Sequence, residues 1–146
     1  MRRLVWILVL AEVRLFCCAP QLPDDLPGLV ELMGSNDMAD QACAARKVYD
    51  RYGVDGLLTA LESPLAGARG NGAIFLRLHP DPKARAPLLR GSHDPDRWAR
   101  GRAAFALSAF PSPEVEARVR ELLKDPDATV RSHAQESLDI LVGKNR

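Results

Sequence analysis

Cysteine and aromatic residues are scarce in this chain, and each shortage excludes a class of protein. Aromatic residues make up 5% of the sequence, so alanine and leucine must supply most of the packing in any core. Three cysteines without a repeated close spacing form neither a disulfide framework nor a zinc-finger pattern. Two of them, Cys17 and Cys18, are adjacent, and adjacent cysteines seldom bridge each other. A disulfide-held or zinc-held domain is therefore not expected.

Groups suited to catalysis are equally few. The three histidines, His79, His93 and His133, have no Cys, Glu or second His at ligand spacing. No Gly-x-Ser-x-Gly nucleophile motif occurs. The glycine-rich stretch 67–72 lacks the Gly-Lys-Ser/Thr ending of a phosphate loop. We therefore expect no metal, no cofactor and no enzyme activity.

The charge balance provides no strong field of either sign. The chain has 20 basic and 19 acidic residues, and removing the three arginines and one glutamate of residues 1–23 leaves 17 and 18. A nucleic-acid surface needs a continuous cationic track, because phosphate contacts supply most of its affinity. Acidic residues interrupt any such track here: Asp94, Asp96, Glu114, Glu116 and Glu121. Nucleic-acid binding is not expected.

Residues 1–19 differ in composition from the rest of the chain. Arg2 and Arg3 precede an apolar stretch of secretory-signal length, which Glu12 and Arg14 then interrupt. The favoured interpretation is a bacterial signal peptide or lipid-anchored tail, which would place the protein in the cell envelope or periplasm and limit membrane contact to this segment. The alternative is a hydrophobic helix that covers the first repeat of a cytoplasmic protein. Residues 20–23 are interpreted as a linker.

A ten-residue pattern near the C-terminus recurs upstream and indicates the architecture. The last copy, DPDATVRSHA, begins at residue 125, and DPDRWARGRA begins at 94. Weaker copies begin at 63 and 35, so the starts are 28, 31 and 31 residues apart. A fixed period of this length is typical of a solenoid. The residues that carry the pattern are Arg69, Asp94, Pro95, Asp125, Pro126, Val130, Arg131 and Ala134.

Each copy predicts two helices joined by a short turn. In the last copy Ser112 and Pro113 open the first helix, and Asp125 followed by Pro126 is expected to cap the second. Asp94 and Pro95 are expected to cap the equivalent helix of the preceding copy. In the last three copies an arginine follows six residues after the copy begins, and Arg69, Arg100 and Arg131 are predicted to form a ladder with Asp94 and Asp125 between successive units.

With these residues in register, the chain resembles a HEAT-repeat protein of the short, roughly 30-residue type related to phycobilisome lyase repeats. The resemblance covers residues 24 to 143. It implies an all-α fold, a right-handed α-solenoid of about four antiparallel helix pairs, with binding usually on the surface lined by the second helices. Some HEAT-like hydroxylases carry His-Glu motifs for a di-iron centre, and this chain has no His-Glu pair.

The predicted domain organisation follows from the repeats. Residues 1–19 form the hydrophobic N-terminal segment, residues 20–23 the linker, and residues 24–146 one HEAT-like domain. Its units span about 24–53, 54–80, 81–111 and 112–143, which exceeds the three or so repeats needed to bury a continuous core.

The third unit holds the candidate binding residues. Trp98 occupies the column of Gly67 and Thr129, which should face outward. An exposed tryptophan near Arg97, Arg100 and Arg102 has the composition of an interface hot spot. The alternative is that Trp98 folds over the preceding turn and the arginines form a solvated face.

Two functions remain open from the sequence. The favoured one is a non-catalytic scaffold that binds a protein or peptide partner. The alternative is an accessory factor for an enzyme or for a lyase-type cofactor-attachment reaction, which would need a pocket for a tetrapyrrole beside Tyr49 or Tyr52.

Overall fold

The computed structural model of the protein describes residues 22–143. In this range the backbone forms seven α-helices and two 3-10 helices, with no strand. The α-helices are α1 (Leu26–Met33), α2 (Met38–Leu61), α3 (Ala66–Leu78), α4 (Arg85–Gly91), α5 (Arg97–Ala106), α6 (Pro113–Leu122) and α7 (Ala128–Leu141). The 3-10 segment Pro82–Ala84 precedes α4, and the segment Leu107–Ala109 follows α5.

The predicted signal, anchor or capping helix at residues 1–19 lies outside the described residues. Residues 22 and 23 of the predicted linker have no regular secondary structure, and Leu22 packs partly against the core. No helix within residues 22–143 has the length and apolar character needed to cross a membrane.

Helix α2 consists of two helices that meet at Gly53. This glycine has φ 61° and ψ −151°, a conformation that residues with a Cβ rarely adopt. The chain therefore bends there, and residues 38–52 and 54–61 pack as separate arms. Gly143 also has a positive φ, 73°. The two glycines occupy the same column when the first and last copies are aligned without gaps, and both have a positive φ.

The helices stack side by side in two rows. One row, which we call the inner row, is formed by the 38–52 arm of α2 and by α3, α5 and α7, with extensive contact between neighbours. The 54–61 arm of α2 packs on α3 near Gly72 and belongs to the other row. On the other side, α1 packs on α2, α4 on α5, and α6 on α7. The predicted fold class, an all-α solenoid built from antiparallel helix pairs, is confirmed.

Small residues let the inner helices approach closely. Ala44, Ala103 and Ala134 occupy one column of the repeat and are almost fully buried. Leucine and valine fill the space between the rows, as at Leu57, Leu76, Leu88, Leu107, Val115, Val119 and Val130. A core built largely from alanine, leucine and valine is the one expected of a chain with few aromatic residues.

The aspartate that caps each second helix is not the one predicted. The N-cap of α5 is Asp96, whose carboxylate accepts from the amides of Trp98 and Ala99, and the N-cap of α7 is Asp127. Asp94 and Asp125 lie two residues earlier, so the prediction that they cap these helices is wrong. Each instead accepts from the amide of the capping aspartate, at 2.9 Å in both cases. The predicted cap of α6, Ser112, is confirmed.

Asp94 and Asp125 are instead the acceptors of an arginine ladder between units. Arg69 donates to both carboxylate oxygens of Asp94, with Nε to Oδ2 at 2.6 Å and Nη2 to Oδ1 at 2.8 Å. Arg100 contacts Asp125 in the same way, at 2.9 and 3.1 Å. The side chains of the aspartates are only 8% exposed, and those of the arginines 18% and 15%. These are parallel two-bond contacts, the strongest geometry for a guanidinium and a carboxylate.

The third nitrogen of each ladder arginine holds the turn of its own unit. Nη1 of Arg69 donates to the carbonyls of Ser63 and Pro64, and Nη1 of Arg100 to those of Asp94 and Pro95. One guanidinium thus fixes its own helix-opening turn and the equivalent turn of the next unit.

At the two ends of the ladder, within the described part of the chain, the contact with the turn of the same unit is present without the ion pair to the next unit. Arg131 Nη1 donates to the carbonyls of Asp125 and Pro126, each at 2.8 Å, but no carboxylate within residues 22–143 meets its other nitrogens. Gln41 takes the same column in the first copy and donates to the carbonyl of Ser35. The contact to the turn of the same unit is therefore present in all four copies, whereas the ion pair is present in two.

Ionised aspartates are favoured in this setting. The Arg100 side chain, as hydrogen-bond donor and charge, holds the pKa of Asp125 below its ordinary value against the effect of burial. Burial has the largest effect on Asp94 and acts to raise its pKa. Hydrogen bonds from Arg69 and the Asp96 amide, together with the charges of Arg69 and Arg100, outweigh burial, so this pKa is also lowered.

The alanine column can be tested by placing a charge in the closest helix contact. Ala134→Asp should lower the free energy of unfolding by at least about 3 kcal/mol, because a carboxylate would be buried without a partner. Ser132→Asp, at an exposed position of the same helix, is the matched control and should change stability little. Chemical denaturation of both variants checks this. An Ala134→Asp protein as stable as the control would show that the repeat register is wrong.

The ladder can be tested by removing equivalent arginines. Arg100→Met should destabilise the protein by about 3 kcal/mol, because it leaves the Asp125 carboxylate buried and unpaired. Arg131→Met removes the same side chain at an exposed end and should cost less than about 1 kcal/mol. Urea titration followed by far-UV circular dichroism measures both. Equal losses in the two variants would contradict a role for the ion pair.

The lowered aspartate pKa values predict a loss of stability in acid. In this pH range the two aspartates bind fewer protons in the folded state than in the unfolded state. The stabilisation from their ionised carboxylates is therefore complete above the unfolded-state pKa, near 3.8, and is lost as the pH falls through their lower folded-state pKa values. Asp125→Asn should reduce this acid-dependent loss, whereas Asp50→Asn, at an exposed pair, should not. Urea titrations between pH 7 and 2 test the difference. Parallel curves for Asp125→Asn and the parent protein would rule the mechanism out.

Candidate functional site

The four residues predicted to bind a partner do not form one patch. Trp98 is 50% exposed, and the guanidinium of Arg97 lies 5.6 Å from the centroid of its ring. Arg97 also approaches Asp127 of the next unit, with Nη1 to Oδ2 at 3.4 Å. Arg100 belongs to the ladder, and Arg102 lies half-buried against α3. Trp98 and Arg97 are thus available at the surface, whereas Arg100 is occupied within the fold.

Helix α5 carries a stripe along the inner row that begins at Trp98. Trp98, Arg102 and Phe105 are four and three residues apart, a spacing that aligns side chains on one face of a helix. Helices α3 and α7 flank α5 in the same row and contribute Asn71, Arg77 and His133 to its surroundings. We call these six residues the α5 face: Asn71, Arg77, Trp98, Arg102, Phe105 and His133.

A polar chain crosses the α5 face from the first unit to the third. Asn71 donates to the carbonyl of Met33 at 2.7 Å and to the side-chain oxygen of Gln41 at 3.0 Å. Its own side-chain oxygen accepts from Arg102 Nη1 at 2.8 Å. Arg102 is therefore oriented by a neutral amide rather than by a carboxylate.

A second line of contacts crosses the same face through Phe105. The guanidinium of Arg77 lies 4.1 Å from the centroid of the Phe105 ring, which is a cation–π distance, and its Nε donates to Ser108 at 3.1 Å. On the other side, the rings of Phe105 and His133 lie 5.9 Å apart. Aromatic and cationic groups from three successive units are thus held against one another.

His133 is more enclosed than an ordinary residue on a helix surface. Its Nδ1 atom is buried and has no hydrogen-bond partner among residues 22–143, and a Cβ added at Gly101 would come within 2.8 Å of it. Burial lowers the pKa of His133. The positive charge of Arg102 also lowers it, whereas the negative charge of Glu136 acts to raise it. The imidazole is therefore neutral at neutral pH, and Gly101 provides the space for it.

Arg102 is a cation without an anion in the described part of the chain. Burial lowers the pKa of its guanidinium, and no carboxylate among residues 22–143 pairs with it. Its only side-chain hydrogen bond there is the one to Asn71, which leaves most of its N–H groups without a protein acceptor.

Asn71, Arg77, Phe105 and His133 belong to this face, although the repeat pattern had not predicted them as binding residues. The repeat itself contained a usable signal, because Asn71, Arg102 and His133 lie 31 residues apart in one column. Residues of one column in successive units of a solenoid are neighbours, since each unit stacks on the one before. Phe105 is in another column, and only the structure shows its contact with Arg77.

The residues considered for a tetrapyrrole site lie in other environments. Tyr49 stacks on His79 with ring centroids 3.7 Å apart, and the Tyr52 hydroxyl donates to the carbonyl of Asp24. An apolar groove of about 490 Å³ lies between α1 and the 54–61 arm, and its lining includes neither tyrosine. No cluster of three His, Cys, Asp or Glu side chains suited to a metal ion occurs between residues 22 and 143.

Comparison with known proteins identifies the fold and the repeat type. The family described as HEAT repeats matches residues 54–139, which is more than half of the chain. No curated protein gives a significant match over the sequence. A solved structure of human deoxyhypusine hydroxylase in complex with glycerol is similar over 86% of this chain, with a TM-score of 0.64 and 19% identity. The match covers 46% of that chain, so this protein spans less than half of its length.

This likeness corrects one prediction from the sequence. We expected no enzyme activity, and the similar structure is that of an enzyme, so the architecture gives no ground for excluding catalysis. At 19% identity the likeness shows the fold alone and assigns no reaction to this chain. The stacked helix pairs of the structure agree with the family match over residues 54–139, and the chain belongs to the HEAT-repeat family.

Proposed function

We propose that this protein is a HEAT-repeat scaffold that binds a protein or peptide partner through the α5 face, with Trp98 as the central anchor. The single observation that carries the proposal is the 50% exposure of the Trp98 side chain at the middle of the inner row. HEAT repeats commonly mediate protein interactions, which supports a partner of this kind.

Trp98 has the properties of an interface anchor. Tryptophan and arginine are enriched among the few residues that carry most of the binding energy at interfaces. Trp98 offers a large aromatic surface, and Arg97 lies over its ring. The partner would bury the exposed half of this ring.

The backbone around Trp98 is held firmly, which reduces the entropy lost on binding. The Asp96 carboxylate accepts from the Trp98 amide at 2.9 Å, and the next residue, Ala99, is 2% exposed. The ladder fixes α5 on both sides, since Asp94 binds Arg69 of the preceding unit and Arg100 binds Asp125 of the next. A partner would thus meet a surface that is already formed.

We favour a protein partner over a nucleic acid because the face carries few free cations and the chain as a whole is nearly neutral. Phosphate contacts along a duplex need many cations in a row. Arg69 and Arg100 are engaged by aspartates, and Arg97 also approaches Asp127. On the α5 face this leaves Arg77 and Arg102 without a carboxylate partner among residues 22–143.

Substitution of the anchor tests the proposal. Trp98→Ala should weaken binding of the partner by about thirtyfold, because truncation of a hot-spot side chain typically costs 2 kcal/mol or more. Met38→Ala is the matched control, since Met38 is an apolar side chain that is 82% exposed at another position. The full chain would be used to isolate the partner from its native cells, and its affinity for each variant measured by calorimetry. A Trp98→Ala protein that binds within twofold of the parent would rule out this anchor.

A further inference from the structure

Arg102 and Arg77 differ from the other partly buried arginines of this protein. Within residues 22–143, three partly buried arginines have a carboxylate partner: Arg69 with Asp94, Arg100 with Asp125, and Arg118 with Glu121. Arg102 and Arg77 have none there, although the protein covers part of each side chain. Arg85, Arg90 and Arg131 also lack a partner in this range, but they are exposed and remain hydrated.

A partly buried guanidinium without an anion is costly. Removing a charge from water destabilises it unless hydrogen bonds and an opposite charge replace the lost hydration. Arg102 has one neutral acceptor, and Arg77 has a hydroxyl and an aromatic ring. A bound carboxylate would supply the missing charge and short, charge-assisted hydrogen bonds.

Both cations lie beside the apolar groups of the α5 face. Arg77 is stacked on Phe105, and Arg102 lies on α5 between Trp98 and Phe105. From Trp98 to Phe105 the helix rises roughly 10 Å, which three or four residues of an extended peptide would span. The face therefore offers alternating apolar and cationic groups along a line, and a single small anion would engage only one point of it.

We propose that Arg102 and Arg77 bind carboxylates of an acidic segment of the partner, in which the acidic side chains lie on one side of the apolar residue that contacts Trp98. This inference rests on the proposed function and specifies the chemistry of the partner. Asn71 orients Arg102, Phe105 orients Arg77, and neutral His133 adds no charge of its own.

The test uses the full chain and simple probes. A hexaglutamate peptide, a hexalysine peptide and inorganic phosphate would each be titrated while the Trp98 indole and Arg102 Nε resonances are followed by NMR. We expect hexaglutamate to shift both resonances and to bind at least tenfold more tightly than hexalysine or phosphate. Phosphate binding as tight as hexaglutamate would indicate a small-anion site and overturn the proposal, as would the absence of any preference for hexaglutamate.

The decisive variant is Arg102→Gln, which keeps a donor for Asn71 and removes the charge. It should weaken hexaglutamate binding at least tenfold and leave the melting temperature unchanged or higher, because an unpaired partly buried charge has been removed. Arg85→Gln removes an exposed charge of the same unit and should change hexaglutamate binding less than twofold. A lower melting temperature with hexaglutamate binding within twofold of the parent would make Arg102 a structural residue and overturn the proposal.

Measuring how the isolated partner binds each variant distinguishes this inference from the proposed function. If Trp98→Ala loses the partner while Arg102→Gln retains it fully, the scaffold function stands and the acidic segment is refuted. If both variants retain the partner, the α5 face is not the binding surface.

Discussion

This structure depends on the two-bond contact between an arginine of one unit and an aspartate of the next unit, which lies two residues before the cap of that unit's second helix. Arg69 with Asp94 and Arg100 with Asp125 join three successive units, and in each pair the third guanidinium nitrogen also holds the turn of the arginine's own unit. Alanines pack well but specify position weakly, because one small apolar contact resembles another. The ion pair accepts one geometry, so it sets the position of each helix pair on the next.

The candidate site follows from that constraint. Helix α5 is the one second helix among residues 22–143 that the ladder holds on both sides, and it carries Trp98, Arg102 and Phe105. Two arginines of α5, Arg100 and Arg102, have different surroundings and different roles. Arg100 is neutralised by Asp125 and stabilises the stack, whereas in the described part of the chain Arg102 has only Asn71 for a hydrogen-bond partner. The protein thus keeps an uncompensated charge beside an exposed tryptophan, as expected of a surface that stability alone did not shape.

The sequence predicted the repeated helix pairs well because each helix end depends on local residues. Ser112 was correctly predicted as a cap, and the aligned Gly53 and Gly143 share a positive φ. The cap of α7 was placed two residues early because Asp125 and Asp127 are equally suited to that role by type, and only the contact with Arg100 separates them. The contact of Arg77 with Phe105 depends on the angle between neighbouring helices, which no local pattern specifies.

The most direct measurement is a double-mutant cycle across the first rung of the ladder, with Arg69→Met, Asp94→Asn and the double variant. The free energy of unfolding of each would be obtained from urea titration at neutral pH. If the ion pair holds neighbouring units together, the double variant should be more stable than the sum of the single losses predicts, by about 1.5 kcal/mol or more. Additive losses, with a coupling energy near zero, would show that the units are positioned by apolar packing alone and would contradict the account.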